Sequence, residues 1–313
     1  MLKKILIIIL VAILCTPLIG ATINIGIYIY NDSQISYTVN DTLPDGGGNK
    51  ATIILLAGQS NASGCSRDDY LKKNVSPEKY AEYEAGYDNV YINYFASANN
   101  QSDGFVKCSV RQGEEGTCFG PELGLAEKLH EVYPDRTFFI IKYAWGATEL
   151  FDKWLSPSSV GKTGKLYKHF VKYVNTSIKY LVSKNYDVTI EGMCWMQGES
   201  DSFTVEHGTG YETHLNNFIR DIRWTFARYA SDDGIAFVDA YIADNPVYWV
   251  FCDLVNESKR KVAESSPINE IIETRDLITT EEPEDKPDIP HYDSLSEIEL
   301  GNRFAEAVIK FFD

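Results

Sequence analysis

Thr52-Ile53-Ile54-Leu55-Leu56-Ala57-Gly58-Gln59-Ser60-Asn61 carries the clearest fold signal in the chain. After Thr52 the run is apolar through Ala57, without the alternation of a half-exposed strand, as expected of a strand covered on both faces. Gly58 then permits a sharp turn, and Ser60 follows where a helix can begin. Similar runs recur at 137–144, 188–195 and 235–239, with a weaker one at 268–273. Helical patterns separate them: from Pro121, a good first-turn residue, to about 132, then 166–184, 211–229, 248–264 and 296–312. Phe170, Val174, Ile178 and Val182 supply the apolar face of the second of these, and Ile298, Phe304, Ala305 and Ile309 that of the last. Strand and helix in alternation predict an α/β fold, a three-layer α/β/α sandwich around a central, mainly parallel sheet.

N-terminal to this lies a different kind of sequence. Lys3 and Lys4, the apolar run 5–14, Pro17 and the small residues Gly20 and Ala21 have the layout of a secretory signal peptide. The expected organisation is a signal peptide at 1–21, a polar linker or N-terminal arm at 22–49, and a catalytic-type domain at 50–313. Secretion is the expected localisation, with an uncleaved N-terminal membrane anchor as the alternative. After cleavage no stable membrane insertion is expected, since about 20 continuous apolar residues are needed to span. A formal net charge of -16 argues against nucleic acid as a partner, because phosphate binding needs a basic surface. Neutral ligands such as polysaccharides suit that balance better.

Six cysteines are present, Cys15 inside the leader-like segment and five beyond it. Cys108 and Cys118 could close a short loop, and Cys194 reads as a buried thiol. No Cys-x-x-Cys or Cys/His spacing supports zinc, so no metal and no cofactor is expected. Glycosylation sequons begin at Asn31, Asn40, Asn61, Asn74, Asn100, Asn175 and Asn256, consistent with a glycosylating secretory route.

In parallel sheets ligands bind beyond the carboxyl ends of the strands, so the residues just after each strand matter most. After the first come Gln59, Ser60 and Asn61, a hydroxyl placed to attack an acyl carbon. After the second comes Trp145-Gly146-Ala147-Thr148, where Gly146 leaves an unobstructed N–H for a developing oxyanion. After the third, Trp195-Met196-Gln197-Gly198-Glu199-Ser200-Asp201 offers an amide and two acids at the same edge. Of the histidines, His130 and His169 fall on helices among charged neighbours, His207 in a glycine-bearing loop and His214 on a helix. His291 differs: Asp288-Ile289-Pro290-His291 puts a carboxylate within reach of the imidazole just before the final helix, and Pro290 favours a bend there. Trp145, Trp154, Tyr143 and Tyr167 form a set suited to stacking on sugars.

Gly58-Gln59-Ser60-Asn61, the block from Trp195 to Asp201 and Asp288-x-x-His291 together resemble the SGNH hydrolases. Within these the likeness is to the sialate O-acetylesterase and acetylxylan-esterase group, carbohydrate esterase family 6, and it extends from Ala51 to the C-terminus. Gly120-Pro121-Glu122 and Leu300-Gly301-x-Arg303 are similar to segments of the same group. The resemblance implies a serine carboxylic-ester hydrolase acting on an acetylated carbohydrate (acetylxylan or acetylated sialic acid), with Ser60 as nucleophile, His291 as base and Asp288 assisting. It implies an oxyanion hole of the Ser60 and Gly146 N–H groups and the Gln197 amide. Glu199 competes with Asp288 as acidic partner, and Asp201, Gln59, Asn61 and Glu122 are further candidates for that role or for substrate contact. Two departures stand out: Ala147 where the group usually has a second glycine, and Ala62 where methionine is common. Asn61 is expected to carry no glycan, since one would block the site. A short-chain lipase or thioesterase and a non-catalytic carbohydrate-binding protein on the same fold are the alternatives.

Overall fold

The computed structural model describes residues 37–279, 282–285 and 287–312. By its contacts the chain divides into Met1–Tyr37 and Thr38–Asp313; all that follows concerns the second unit. The leader segment, Cys15 and Asn31 lie outside the described residues.

The strand that opens the domain is also its centre. β1 (Lys50–Gly58) is buried from Ala51 onward and pairs in parallel on one side with β6 (Phe138–Ala144) and on the other with β7 (Asp187–Met196). β3 (Val90–Phe95) lies beyond β6, and the short antiparallel β4 (Val106–Lys107) forms that edge. β8 (Ala236–Ala240) and β9 (Asn269–Ile272) continue from β7, giving the order β4-β3-β6-β1-β7-β8-β9. A small second sheet pairs β2 (Ser66–Arg67) with β5 (Cys118–Phe119). The expected runs match β1, β6, β7, β8 and β9 to within a residue or two. β3 was not anticipated. Asn93 interrupts its apolar run, yet it is buried and held by Tyr173 Oη and Ser177 Oγ of the helix above it. The charged residue inside β7, Glu191, sits where the β1 register shifts and is paired with Arg136 at 2.8 Å.

Eight helices are described: α1 (Ser60–Ser63), α2 (Asp68–Asn74), α3 (Pro77–Ala85), α4 (Glu122–Val132), α5 (Lys165–Ser183), α6 (Val205–Thr225), α7 (Cys252–Glu264) and α8 (Ser294–Ile309). Alternation along β7 shows how they cover the sheet. A Cβ on Gly192 would meet Val308 of α8 at 2.4 Å, whereas Trp195, on the opposite face, packs on Phe218 of α6 with ring centroids 4.7 Å apart. α4 and α8 approach closely on glycines: a Cβ on Gly124 would lie 1.9 Å from Ile298 O, and one on Gly301 2.1 Å from Pro121 O.

Three local readings change. α6 starts at Val205, six residues before the expected Tyr211. Thr204 caps it by accepting from His207 N at 3.2 Å, so His207 is helical and not in a loop. The glycine that suggested a loop, Gly208, lets α6 pack on Leu254 of α7. Val182 is exposed while Leu181 is buried, because steps of four advance 40° beyond a full turn and carry the fourth residue off the inner face. Residues 38–49 dock on the domain: the Thr42 and Leu43 N–H groups donate to Tyr180 Oη, and Gly46 lies against the Tyr186 ring.

Candidate active site

Register assembles the site. Gly58 pairs with Ala144 on one side and Met196 on the other, so β1, β6 and β7 end level and deliver Ser60, Gly146 and Gln197 to one edge. Gly58 has φ +147, and a Cβ there would fall 1.9 Å from Met196 O, so only glycine fits. The chain then turns into α1, with Gln59 N donating to Met196 O at 2.9 Å. Ser60 is half-buried at the start of that helix. Trp145 N donates to Gly58 O at 3.1 Å, which draws the second segment alongside, and a Cβ on Gly146 would be 3.5 Å from Ser60 Cβ. Among the described residues neither the Ser60 nor the Gly146 N–H donates to another part of the chain.

Gln197 differs from its expected part. It is fully buried, and its Nε2 faces Asp201 Oδ2 at 2.6 Å, Thr148 O at 2.9 Å and Gln59 Oε1 at 3.3 Å. An amide atom that close to a carboxylate must be the N–H side, and Tyr211 Oη donates to Gln197 Oε1 at 2.8 Å. Both amide hydrogens are therefore committed, and Gln197 has no donor left for an oxyanion. Asp201 is likewise internal. It accepts from Leu150 N, Phe151 N and Gln197 and is 1% exposed, so it holds the 150–151 turn and does not reach substrate. Burial raises its carboxyl to about 6 against those three donors. Glu122 is also fully buried, accepting from Gly120 N and, at 2.6 Å, from Lys142 Nζ. The same ammonium donates to Ser63 O and Gln112 O. That pair braces the back of the Ser60–Ser66 turn and is sealed from solvent. Gln59 is buried too, its Oε1 accepting from Gln197 and from Ser200 N.

The late segment meets this edge through its backbone. Asn61 Nδ2 donates to Pro290 O at 3.3 Å and Ser66 Oγ to Tyr292 O at 2.8 Å, so the residues flanking His291 are both tied to the Ser60–Ser66 turn. His291 Nδ1 lies 2.7 Å from Asp288 Oδ2. Glu199, the competing acid, instead accepts from Asn61 Nδ2 at 2.9 Å; burial raises its carboxyl pKa and opposes ionisation. Of the other histidines, His130 bonds Asn89, His214 bonds Ser159 and His207 stacks on Phe151.

Two expectations, the aromatic set and the Cys108–Cys118 pairing, need correction here. Trp154, Tyr143 and Tyr167 are buried core residues; of that aromatic set only Trp145 is exposed, stacked on Phe95. The described cysteines are all free thiols, and Cys108 does not pair with Cys118 because it points inward at Glu122 O. Asn61 Nδ2 is buried and doubly bonded, and the amides of Asn74, Asn100, Asn175 and Asn256 are also engaged within the protein. Sequence reading missed Glu114 and Cys65. Glu114 Oε2 would be 3.4 Å from a Cβ on Gly146, and it accepts from Cys65 Sγ at 3.1 Å. Neither residue belongs to a motif; the β2–β5 pairing and the hydrogen bond from Glu114 N to Gly64 O bring their segments together. Among the described residues, Asp244, Cys252 and Asp253 form a group of three whose possible ligand atoms all lie within 4.8 Å of one another, near the start of α7.

The family model described as "Carbohydrate esterase, sialic acid-specific acetylesterase" matches residues 50–310. The fold is similar to that of a protein from Arabidopsis thaliana (TM-score 0.62, 17% identity, 87% of this chain and 100% of that one). It is also similar to NanS (0.62, 15%, 85% and 98%) and to a carbohydrate acetylesterase from Xanthomonas citri (0.56, 18%, 84% and 56%). No curated protein matches the chain at a significant level.

Proposed function

The chain belongs to the sialic acid-specific acetylesterase family of carbohydrate esterases, and from that premise we propose that it hydrolyses acetyl esters on a sugar through a Ser60–His291–Asp288 acyl-enzyme mechanism. The observation that carries this reading is the His291 segment, hydrogen-bonded to the nucleophile turn on both sides of the imidazole while Nδ1 is held by Asp288. With Nδ1–H donated to the carboxylate, Nε2 is the free base. It takes the Ser60 proton as Oγ attacks the acetyl carbonyl, and the unengaged N–H groups of Ser60 and Gly146 receive the oxyanion. The C–O bond to the sugar then breaks, and the imidazolium protonates the departing alkoxide. Water, deprotonated by His291, attacks the acetyl-Ser60 carbonyl and releases acetate. Gln197 takes no direct part; with Ser200 N it fixes Gln59 beneath the nucleophile. The signal-peptide pattern at 1–21 supports action outside the cell, and among the described residues no helix is long and apolar enough to cross a membrane.

The test is hydrolysis of aryl esters, two-carbon against eight-carbon, by wild type, Ser60→Ala and His291→Ala. Preference for acetyl, with both variants losing about a thousandfold or more, supports the reading. A folded but inert wild type would move a binding role to the front, and an eight-carbon preference would point to lipid.

A further inference from the structure

A cleft of about 530 Å³ has Cys65, Arg67, Glu114, Glu115, Thr117 and Asp288 in its walls. Its lining runs from Cys65, at the end of the nucleophile turn, to Asp288, the acid that holds His291, which sets it against the proposed site. Glu114 stands at its inner end. Its carboxylate lies over Gly146, with both oxygens within 3.5 Å of where a Cβ would be, and Ser60 Cβ borders the same point at 3.5 Å. It is also pinned. Glu114 N donates to Gly64 O at 2.8 Å, Glu114 O accepts from Ser97 Oγ at 2.6 Å, and Cys65 Sγ donates to Oε2 at 3.1 Å. Burial and the Glu114 charge both push the Cys65 thiol up, so it stays protonated and keeps donating.

We propose that Glu114 determines substrate class: its fixed carboxylate beside the oxyanion position selects neutral acetylated sugars and rejects those bearing a carboxylate. The assignment rests on the esterase reading above and narrows it. A carboxylate-bearing sugar is normally met by an arginine fork. Among the described lining residues the one cation is Arg67, and its fork is already closed on Asp69, Nε to Oδ1 at 2.9 Å and Nη2 to Oδ2 at 3.3 Å. Glu115 and Asp288 add like charge to the same walls. A pyranose with only hydroxyls meets the opposite situation, since the Glu114 carboxyl oxygens can accept from O–H groups, and exposed Trp145, next to Gly146, offers a ring face. A sialic acid carries a carboxylate, so this chain would be set apart from the substrate in its family's description.

The experiment compares an O-acetylated sialic acid with its methyl ester, which removes the charge and keeps the acetyl group, with 4-nitrophenyl acetate as the control. At low ionic strength, wild type should hydrolyse the methyl ester at least about tenfold better in kcat/KM. Half-molar salt should shrink that ratio towards one, because the repulsion is screened. Glu114→Gln should shrink it likewise, while Glu114→Asp retains most of it. If neutralising the carboxylate gains nothing in wild type, or the free acid is preferred, the assignment is overturned whatever the variants do. Wild type active on 4-nitrophenyl acetate with a ratio of one sinks the assignment alone. Wild type inert on all three sinks the esterase reading with it.

Discussion

Ala147 follows Gly146 with φ +54, in the left-handed region that an L side chain enters at a cost. Its side chain is exposed, so glycine there would lose no packing. Ala147→Gly should therefore stabilise the protein, by about 0.5–1 kcal/mol, read as a rise in the denaturant midpoint with an unchanged slope. The unusual residue noticed in the sequence thus has a backbone explanation. Other residues were less legible. Ser60, Gly146, His291 and Asp288 stood out because each follows a strand or precedes a helix in a recognisable block. Gln197 was assigned a free amide because nothing in its own block reveals that Asp201 would fold back onto it at 2.6 Å. Glu114 was invisible, since its importance comes from lying across from Gly146, a neighbour distant in sequence.

At the scale of elements, the Ser60–Ser66 turn is braced from behind by one charged pair. Lys142, in the middle of β6, is fully buried and donates to Ser63 O, Gln112 O and Glu122 Oε2, tying β6, the end of α1, the 112–114 loop and α4 together. Removing one partner of such a pair strands the other charge away from water. Lys142→Met should destabilise the protein by about 3–5 kcal/mol. Adding Glu122→Gln should recover part of that loss, because the stranded charge disappears while the Gly120 N contact can remain. Equilibrium denaturation of wild type, the single variant and the double variant checks this; equal stability of Lys142→Met and wild type would contradict it. Continuous apolar runs revealed the buried strands. The same logic hid β3, whose Asn93 is satisfied by Ser102 Oγ and by a helix about 80 residues later, and it mistook the packing glycine of α6 for a loop. Gly301, seen in sequence only as part of a similar ending, turns out to be where α8 touches α4.

For the whole molecule, the α/β class was legible, but the order of the strands was not. Parallel strands buried on both faces look alike, and nothing local says that β6 inserts between β3 and β1. That order matters, because it puts β1 between the two strands whose ends complete the site. The buried acids of this edge also tie stability to pH. Asp201, raised from an ordinary 3.8 to about 6 by burial, binds its proton more tightly in the folded state. Its contribution is full below about pH 4 and lost as pH rises through 6, a change of up to roughly 3 kcal/mol. Asp201→Asn does not titrate, so between pH 4 and 7 the stability difference should move in the variant's favour by that order. A difference that is flat across this range would contradict the shift. The central claim, that Ser60 is the nucleophile of an acetyl-releasing enzyme, is tested most directly by a serine-reactive phosphonate followed by peptide mass mapping and acetate release. The account predicts stoichiometric labelling at Ser60, loss of acetyl release in step with labelling, and little labelling of His291→Ala. A label on another residue, or full acetyl release from protein labelled at Ser60, would contradict it.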